Sequence, residues 1–334
     1  MDSSVEHRAS VPASLRALYE PVATELEAVE RLLERELSSD NPFVNRLAQH
    51  GFRLGGKRLR PALVLLTAHA CGGVRPEHVP LAATTELIHT ATLIHDDVVD
   101  EATLRRHLDT VNARWDNEAS VLLGDYLLAR AICLIGSLGD NFACRAIGES
   151  ARRVCEGELR QIENRGNFEL AEEDYFDIIG GKTAALTACC CRLGAHYAGA
   201  EPAVCDAMTR YGHDLGLAFQ IADDVLDLVG DQAVVGKSLG TDLVKQKATL
   251  PLIHALRSAD SKQREELKSL LAEPDGQSRE TLRPWLERFD AIAYARQRSR
   301  EFTTRAGEQL AVLHSTPAAR SLLGLTDFVV NRHQ

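Results

Sequence analysis

"LAATTELIHTATLIHDDVVDEA", Leu81 to Ala102, decides the fold class. Its apolar residues return at intervals of three and four, the spacing that lays them along one face of an α-helix. The same spacing recurs in "LRALYEPVATELEAVERLLEREL" from Leu15, "ASVLLGDYLLARAICLIGSL" from Ala119, "AVCDAMTRYGHDLGLAFQIADDVLDLV" from Ala203, "KATLPLIHALR" from Lys247 and "LLGLTDFVVNR" from Leu322. Sustained alternation of period two is found nowhere. Gly, Pro, Asn and Asp gather between these segments, at "GGKRLRP", "CGGVRPEHVP", "GSLGDN", "NRGN", "AGAEP", "VGDQAVVGKSLG" and "EPDG", and mark the breaks. The expectation is an all-α protein of ten or more helices without a credible strand set. No linker or change of composition divides it, so residues 13–334 are read as a single large helical domain behind a loose tail, 1–12.

The 334 residues carry a formal net charge of −10. That balance argues against general binding of nucleic acid or anionic membranes, while leaving room for a small anionic substrate held by a few local cations. The start, "MDSSVEHRAS", lacks the basic and apolar regions of a signal peptide. The most apolar stretch is taken to be Ala184 to Ala200, which Arg192 and His196 interrupt, so no transmembrane segment is expected. Eight cysteines include no CxxC and no zinc-type spacing. Those in "CCC", 189–191, sit among Ala, Leu and Thr and read as small buried apolar residues. Reduced thiols fit a cytoplasmic location.

The opening stretch ends in carboxylates. Asp96, Asp97 and Asp100 form D-D-x-x-D, and at about 100° per residue Asp100 falls about 40° from Asp96, one turn on. "ADDVLD" repeats the arrangement as Asp223, Asp224 and Asp227. Like charges this close on a helix repel, and divalent cations turn that cost into binding. Hard oxygen ligands suit Mg²⁺, which fills its remaining positions with water and substrate phosphate. A solvated acidic face would explain one triplet; two of the same form, each behind an apolar helix, favour a metal site.

Cations accompany both triplets. Arg105 and Arg106 follow the first; Lys237, Asp242, Lys245 and Lys247 follow the second in "GKSLGTDLVKQKATLP". "GGKRLRPAL" sets Lys57, Arg58 and Arg60 on a Gly-rich turn entering a helix, a combination suited to phosphate. "IIGGKTAAL" offers Lys182 and Thr183 in what reads as a similar setting. It is not a P-loop, because the required first glycine falls at Phe176. Two acid triplets, each trailed by basic residues, and two GGK turns indicate a site for metal-chelated polyphosphate, with guanidiniums giving forked contacts to oxygen.

As an ordered set, "GGKRLRP", "ELIHTATLIHDDVVDEATLRR", "GDYLLARA", "GGKTAAL", "FQIADDVLD", "GKSLGTDLVKQKATLP" and "DFVVNR" resemble the trans-isoprenyl diphosphate synthases (polyprenyl synthetases), above all the bacterial long-chain, octaprenyl type. The resemblance runs from about Tyr19 to Arg332. It implies a helical bundle around a deep central cavity, a homodimer, and head-to-tail joining of an allylic diphosphate to isopentenyl diphosphate. It implies that Asp96, Asp97, Asp100, Asp223, Asp224 and Asp227 hold Mg²⁺ ions that grip the allylic diphosphate. Arg105, Lys182 and Lys247 would contact that diphosphate, Lys237 its leaving oxygen, and Thr183 and Gln220 the reacting allylic carbons. Lys57, Arg60, His89 and Arg106 would bind isopentenyl diphosphate. The expected catalytic set is Asp96, Asp97, Asp100, Asp223, Lys182, Lys237, Thr183 and Gln220.

In such enzymes bulky aromatics four or five residues before the first Asp stop the growing chain. Here those positions are Thr92 and Ala91. One helical turn, about 5.4 Å, approximates an isoprene unit, and Leu128 or Ile132 of "GDYLLARAICLIG" is expected to supply a deeper floor. The product expected is C35 to C50, best read as octaprenyl diphosphate. The alternatives are a shorter-chain synthase, a terpene cyclase, whose second metal motif is usually of Asn/Ser/Glu type, and a non-catalytic subunit, which tends to lose its Asp triplets. One departure stands out: relatives follow the paired arginines with Gly-x-Pro-Thr, whereas this chain has "HLDT", His107 to Thr110. The C-terminal "NRHQ" offers Arg332 alone as a lid cation.

Overall fold

A computed structural model describes residues 13–54, 56–230, 239–272 and 278–331. The tail 1–12, Lys237 and Arg332 lie outside the described residues. Contacts divide the chain into two compact units. One comprises Met1–Glu149, Cys189–Thr209 and Leu310–Leu325; the other comprises Ser150–Ala188, Arg210–Gln309 and Thr326–Gln334.

The first unit is organised on the helix His78–Val99, the structural form of the opening stretch. Leu81, Ala82, Ala83, Leu87, Ile88, Ala91 and Ile94 are buried on it, as are Thr84, Thr85 and Thr90. Burial this nearly complete explains why its sequence is apolar on more than one face. It packs against Asn117–Gly136, Leu59–Ala70 and Ala23–Glu36. Asp116 caps Asn117–Gly136 by accepting the Ala119 N–H at 2.6 Å, which satisfies one donor of its first turn.

Asn117–Gly136 corrects one expectation. Among the described residues it, and not Ala184–Ala200, is the helix long and apolar enough to cross a membrane by length and composition. Leu123, Leu127, Ala131, Leu134 and Ile135 are buried, while Val121, Leu122 and Ile132 are exposed. The apolar residues therefore serve two faces, which a search for one amphipathic stripe does not register.

The all-α expectation holds, with one short hairpin among the described residues. Leu104–Arg105 and Leu108–Asp109 pair antiparallel, Leu104 opposite Asp109 and Arg105 opposite Leu108. Two residues per strand are too few for alternation to show. Arg106 and His107 make the turn with φ of 53° and 63°, both left-handed as a two-residue hairpin of type I′ demands.

The second unit centres on Leu228, Leu243, Leu252, Leu256, Leu267, Leu271, Leu282 and Leu286. Its helices include Glu172–Ile179, Leu250–Ser258, Ser261–Ala272, Ser278–Arg288 and Ala291–Gln309, with the Arg210–Val229 part of Pro202–Val229. "GGKTA", expected as a Gly-rich turn entering a helix, is instead a π-helical turn, Gly180–Ala184, continuous with helix on both sides. Such turns insert a residue into an α-helix and recur at functional sites.

Candidate active site

In the first unit the acids separate into two kinds. Asp96 and Asp100 are half-buried, and Asp100 is the C-cap of its helix. Asp97 is 1% exposed. Arg105 reaches back from the hairpin to fork it, with Nε at 3.0 and 3.1 Å from the two oxygens and Nη2 at 2.8 Å from Oδ1. Burial pushes the Asp97 carboxyl up, and the Arg105 hydrogen bonds oppose that push. Arg105, expected on the diphosphate, is thus engaged with the middle acid.

The hairpin is anchored at its base. Thr110 Oγ1 donates to Ala102 O at 2.7 Å, Asn112 Nδ2 donates to the same oxygen at 3.0 Å, and His50 Nε2 bonds Asp109 O at 2.7 Å. Arg114 and Trp115 flank the His50 ring. These anchors place Arg106 so that its guanidinium lies over Gly56, where any Cβ would come within 2.3 Å of Nη2. The glycine leaves room for the guanidinium beside the turn that carries Lys57, and a larger residue would push it aside. His89 is pushed well below its ordinary pKa by burial and then by the charges of Arg60, Arg106, Arg105 and Arg58. His89 is thus a neutral imidazole among the guanidiniums of Arg60, Arg106, Arg105 and Arg58, and Lys57 follows Gly56 in the turn that Arg106 covers.

Arg58 has a different task. It is the left-handed N-cap of Leu59–Ala70. Its Nε sits 2.5 Å from Glu30 and its Nη1 2.8 Å from the buried Glu86. Of the three cations read as suited to phosphate, this one is tied internally, because Glu30 and Glu86 supply charges the local sequence does not reveal.

In the second unit Asp223 is half-buried, Asp224 is buried and Asp227 is 0% exposed. Asp227 accepts from Thr241 Oγ1 at 3.2 Å and from the Asp242 N–H at 3.1 Å, tying the start of Thr241–Val244 to the triplet. Asp224 accepts from Tyr175 OH at 2.7 Å and Gln220 Nε2 at 2.8 Å. Burial raises its carboxyl to about 7, the charge of Asp242 adds to this, and the two hydrogen bonds oppose it. Each triplet thus has a buried middle acid held by a side chain.

Lys182 and Thr183 leave the π turn in this unit. Gly157 and Gly181 touch: a Cβ on Gly157 would lie 2.3 Å from Lys182 N, and one on Gly181 2.8 Å from Arg153 O. That close approach puts Lys182 Nζ 2.6 Å from Glu158 and 2.8 Å from Gln161. Thr183 donates to Gln220 Oε1 at 2.6 Å. Lys247 lies 3.2 Å from Asp242. Lys182, Gln220, Asp224, Asp242 and Lys247 line one cleft of about 450 Å³, mouth included, together with Tyr175, Gln161 and Thr249. Sequence reasoning missed Tyr175, Gln161, Glu158 and His50. Tyr175 sits seven residues before Lys182 on an apolar helix and reads as core.

The residues expected to set chain length have varied settings. Ala91 is fully buried, and Thr92 is half-buried with its hydroxyl donating to His89 O at 2.8 Å. Leu128 is half-buried, but Ile132 is 68% exposed. Within one chain nothing covers the Ile132 side chain, which lies off the buried stripe of its helix.

Among the described residues no group of three or more His, Cys, Asp or Glu closes on one point. A cation here would draw on one or two carboxylates and take its other ligands from phosphate and water, the habit of Mg²⁺. The half-buried Asp96, Asp100 and Asp223 fit that donor set better than the buried acids do.

A family model described as Polyprenyl synthetase matches residues 41–287. The octaprenyl diphosphate synthase of Escherichia coli K12 is 37% identical over 322 residues, covering 96% of this chain and 99% of that protein. Among solved structures, a decaprenyl diphosphate synthase from Rhodobacter capsulatus matches with a TM-score of 0.90 and 36% identity, covering 96% of this chain and 99% of the other. A polyprenyl synthase from Caulobacter crescentus CB15, complexed with calcium and isoprenyl diphosphate, matches at 0.91 and 33%, covering 96% and 98%. With likeness running almost end to end, the chain belongs to the polyprenyl synthetase family and is a prenyltransferase.

Proposed function

We propose that this chain condenses an allylic diphosphate with successive isopentenyl diphosphates to a long all-trans polyprenyl diphosphate, C35 to C50, octaprenyl being the reading preferred. The observation that carries the proposal is the sorting of charge: half-buried acids at 96, 100 and 223, one cation group around His89, and a second cation pair, Lys182 and Lys247, in a cleft. Two separate cation groups suit two diphosphate substrates.

Mg²⁺, when bound, would offset the charge that grows on the departing diphosphate. Asp96 and Asp100 in the first unit, and Asp223 in the second, are the residues proposed to hold such ions. Lys182 and Lys247 steady the same diphosphate as its allylic C–O bond breaks, and cations already in place act without reorganisation. Lys57, Arg60 and Arg106 hold isopentenyl diphosphate, with neutral His89 able to donate a hydrogen bond without adding charge. The double bond of isopentenyl diphosphate attacks the allylic carbon, and one proton leaves, the released diphosphate being the base nearest at hand.

The length assignment is supported by the absence of an aromatic at 91 and 92, and by the octaprenyl and decaprenyl names of the two relatives reported above at 37% and 36% identity. Residues 13–334 are proposed to act as one domain, because the family match runs unbroken across both units. A homodimer and a cytoplasmic location complete the proposal. The exposed Val121, Leu122 and Ile132 support the former, and eight cysteines with no disulfide among the described residues agree with the latter.

Incubation with Mg²⁺, farnesyl diphosphate and labelled isopentenyl diphosphate, followed by product sizing, tests activity and length together. Label confined to C20 or shorter products would overturn the long-chain assignment, and no incorporation would overturn the reaction.

A further inference from the structure

Tyr175 is buried at 3% exposure, has no place in the chemistry above, and ends a chain of three hydrogen bonds within the second unit. We propose that Tyr175 is a positioning residue for the condensation, setting the direction of the Thr183 hydroxyl through Asp224 and Gln220. The inference rests on the prenyl-transfer reading.

The argument follows the protons. Asp224 accepts at both of its oxygens, whereas an amide both donates and accepts and a hydroxyl does either. Asp224 presents Oδ2 to the Tyr175 hydroxyl at 2.7 Å and Oδ1 to Gln220 at 2.8 Å. Gln220 must therefore turn its nitrogen to the acid and its oxygen away. That oxygen meets Thr183 Oγ1 at 2.6 Å, so the threonine hydrogen is committed to Gln220. The lone pairs of Thr183 are left for its other neighbours, the electrostatic sense that suits a carbon becoming positive. A threonine turned the other way would present its hydrogen and oppose that charge.

Tyr175 makes the arrangement singular. With its hydroxyl on Oδ2, the carboxylate is held at both oxygens and cannot swing about its Cβ–Cγ bond. Remove the hydroxyl, and the Asp224 carboxylate is free to turn about its Cβ–Cγ bond and draw Oδ1 off Gln220, which releases the amide that orients Thr183. The aromatic body of Tyr175 packs beside Phe176 and is unaffected by losing one oxygen.

The test is a cycle of Tyr175→Phe, Thr183→Ala and the double variant, assayed with Mg²⁺, farnesyl diphosphate and isopentenyl diphosphate well below the unfolding temperature. Misorientation near a reacting atom costs up to about 10² in rate. We expect Tyr175→Phe to lower kcat about tenfold with both KM values within about twofold, and to have no further effect once Thr183 is alanine, as coupled residues behave. A kcat equal to wild type, or effects that multiply in the double variant, would overturn the inference. Should the phenylalanine variant fail to fold, 3-fluorotyrosine at 175 keeps the ring and strengthens the donor. A changed kcat at constant KM then supports the role, and identical turnover removes it. Wild-type enzyme that makes no product counts against the prenyl-transfer reading and not against Tyr175.

Discussion

Arg105 and Asp97 form a forked ion pair in which the acid is buried and the base is about one-quarter exposed. The contact joins the helix end carrying the first triplet to the hairpin carrying Arg106. Breaking such a pair from one side strands a charge that water cannot reach.

Arg105→Ala is accordingly expected to lower stability by about 2–3 kcal/mol, the usual cost of an orphaned buried charged group. Removing both partners, as in Arg105→Ala with Asp97→Leu, is expected to recover at least half of the loss. Urea unfolding of the three proteins measures this, and a double variant less stable than Arg105→Ala would contradict it.

Asp96→Ala and Asp223→Ala are expected to behave oppositely, because these acids are half-buried and are the ones proposed to act on substrate charge. Losing one charge-stabilising group costs about 10²–10³ in rate. Condensation should fall by at least that factor while the helical circular dichroism stays as in wild type. Near-normal turnover in either would sink the assignment of the acids.

Ala91→Phe is expected to shorten the product markedly if the face of His78–Val99 before Asp96 bounds the growing chain. Sizing products by chromatography decides it. Ala91 is fully buried, so unfolding has to be checked in parallel, and Thr92→Phe, at a half-buried position, is the companion variant. An unchanged product distribution in both folded proteins would refute the account of length.

His78 gives a pH dependence with a definite sign. It is fully buried; its Nε2–H donates to Gly194 O at 3.0 Å, and its Nδ1 accepts the Arg75 N–H at 2.8 Å. Burial lowers its pKa, against the pull of the hydrogen bonds to Gly194 and Arg75. The unfolded chain titrates near 6.5 and so binds the proton at a higher pH than the folded one. Stability is complete above about pH 6.5 and declines as pH falls from there to the lower folded value. Urea midpoints from pH 7.5 to 5.5 should drop less in His78→Gln than in wild type; equal slopes would exclude His78 as a source.

The helices and both triplets were legible because helical period and acid spacing are local. What each acid does was not. Asp96 and Asp97 are adjacent in sequence, yet one is half-buried and the other sealed by an arginine eight residues on. Asp224 is organised by Tyr175, 49 residues away. Arg58 looked equal to Lys57 and Arg60 until Glu30 and Glu86 folded onto it. The π turn at Gly180–Ala184 escaped because a single extra residue in a helix shifts phase without altering composition. Lys237 lies outside the described residues, so its expected place beside the leaving oxygen stays a proposal.

The left-handed turn at Arg106 and His107 has an evolutionary side. Backbone of this kind disfavours any residue but glycine by about 1–2 kcal/mol, and many relatives are expected to carry glycine where this chain has His107. A chain that keeps histidine there forgoes an easy gain in stability, and His107→Gly is the substitution by which drift or a thermostability screen would collect it. The glycine would also widen the range of backbone angles open to Arg106. Ranking variants of this enzyme by melting temperature alone would therefore reward this glycine without regard to how it aims the Arg106 guanidinium.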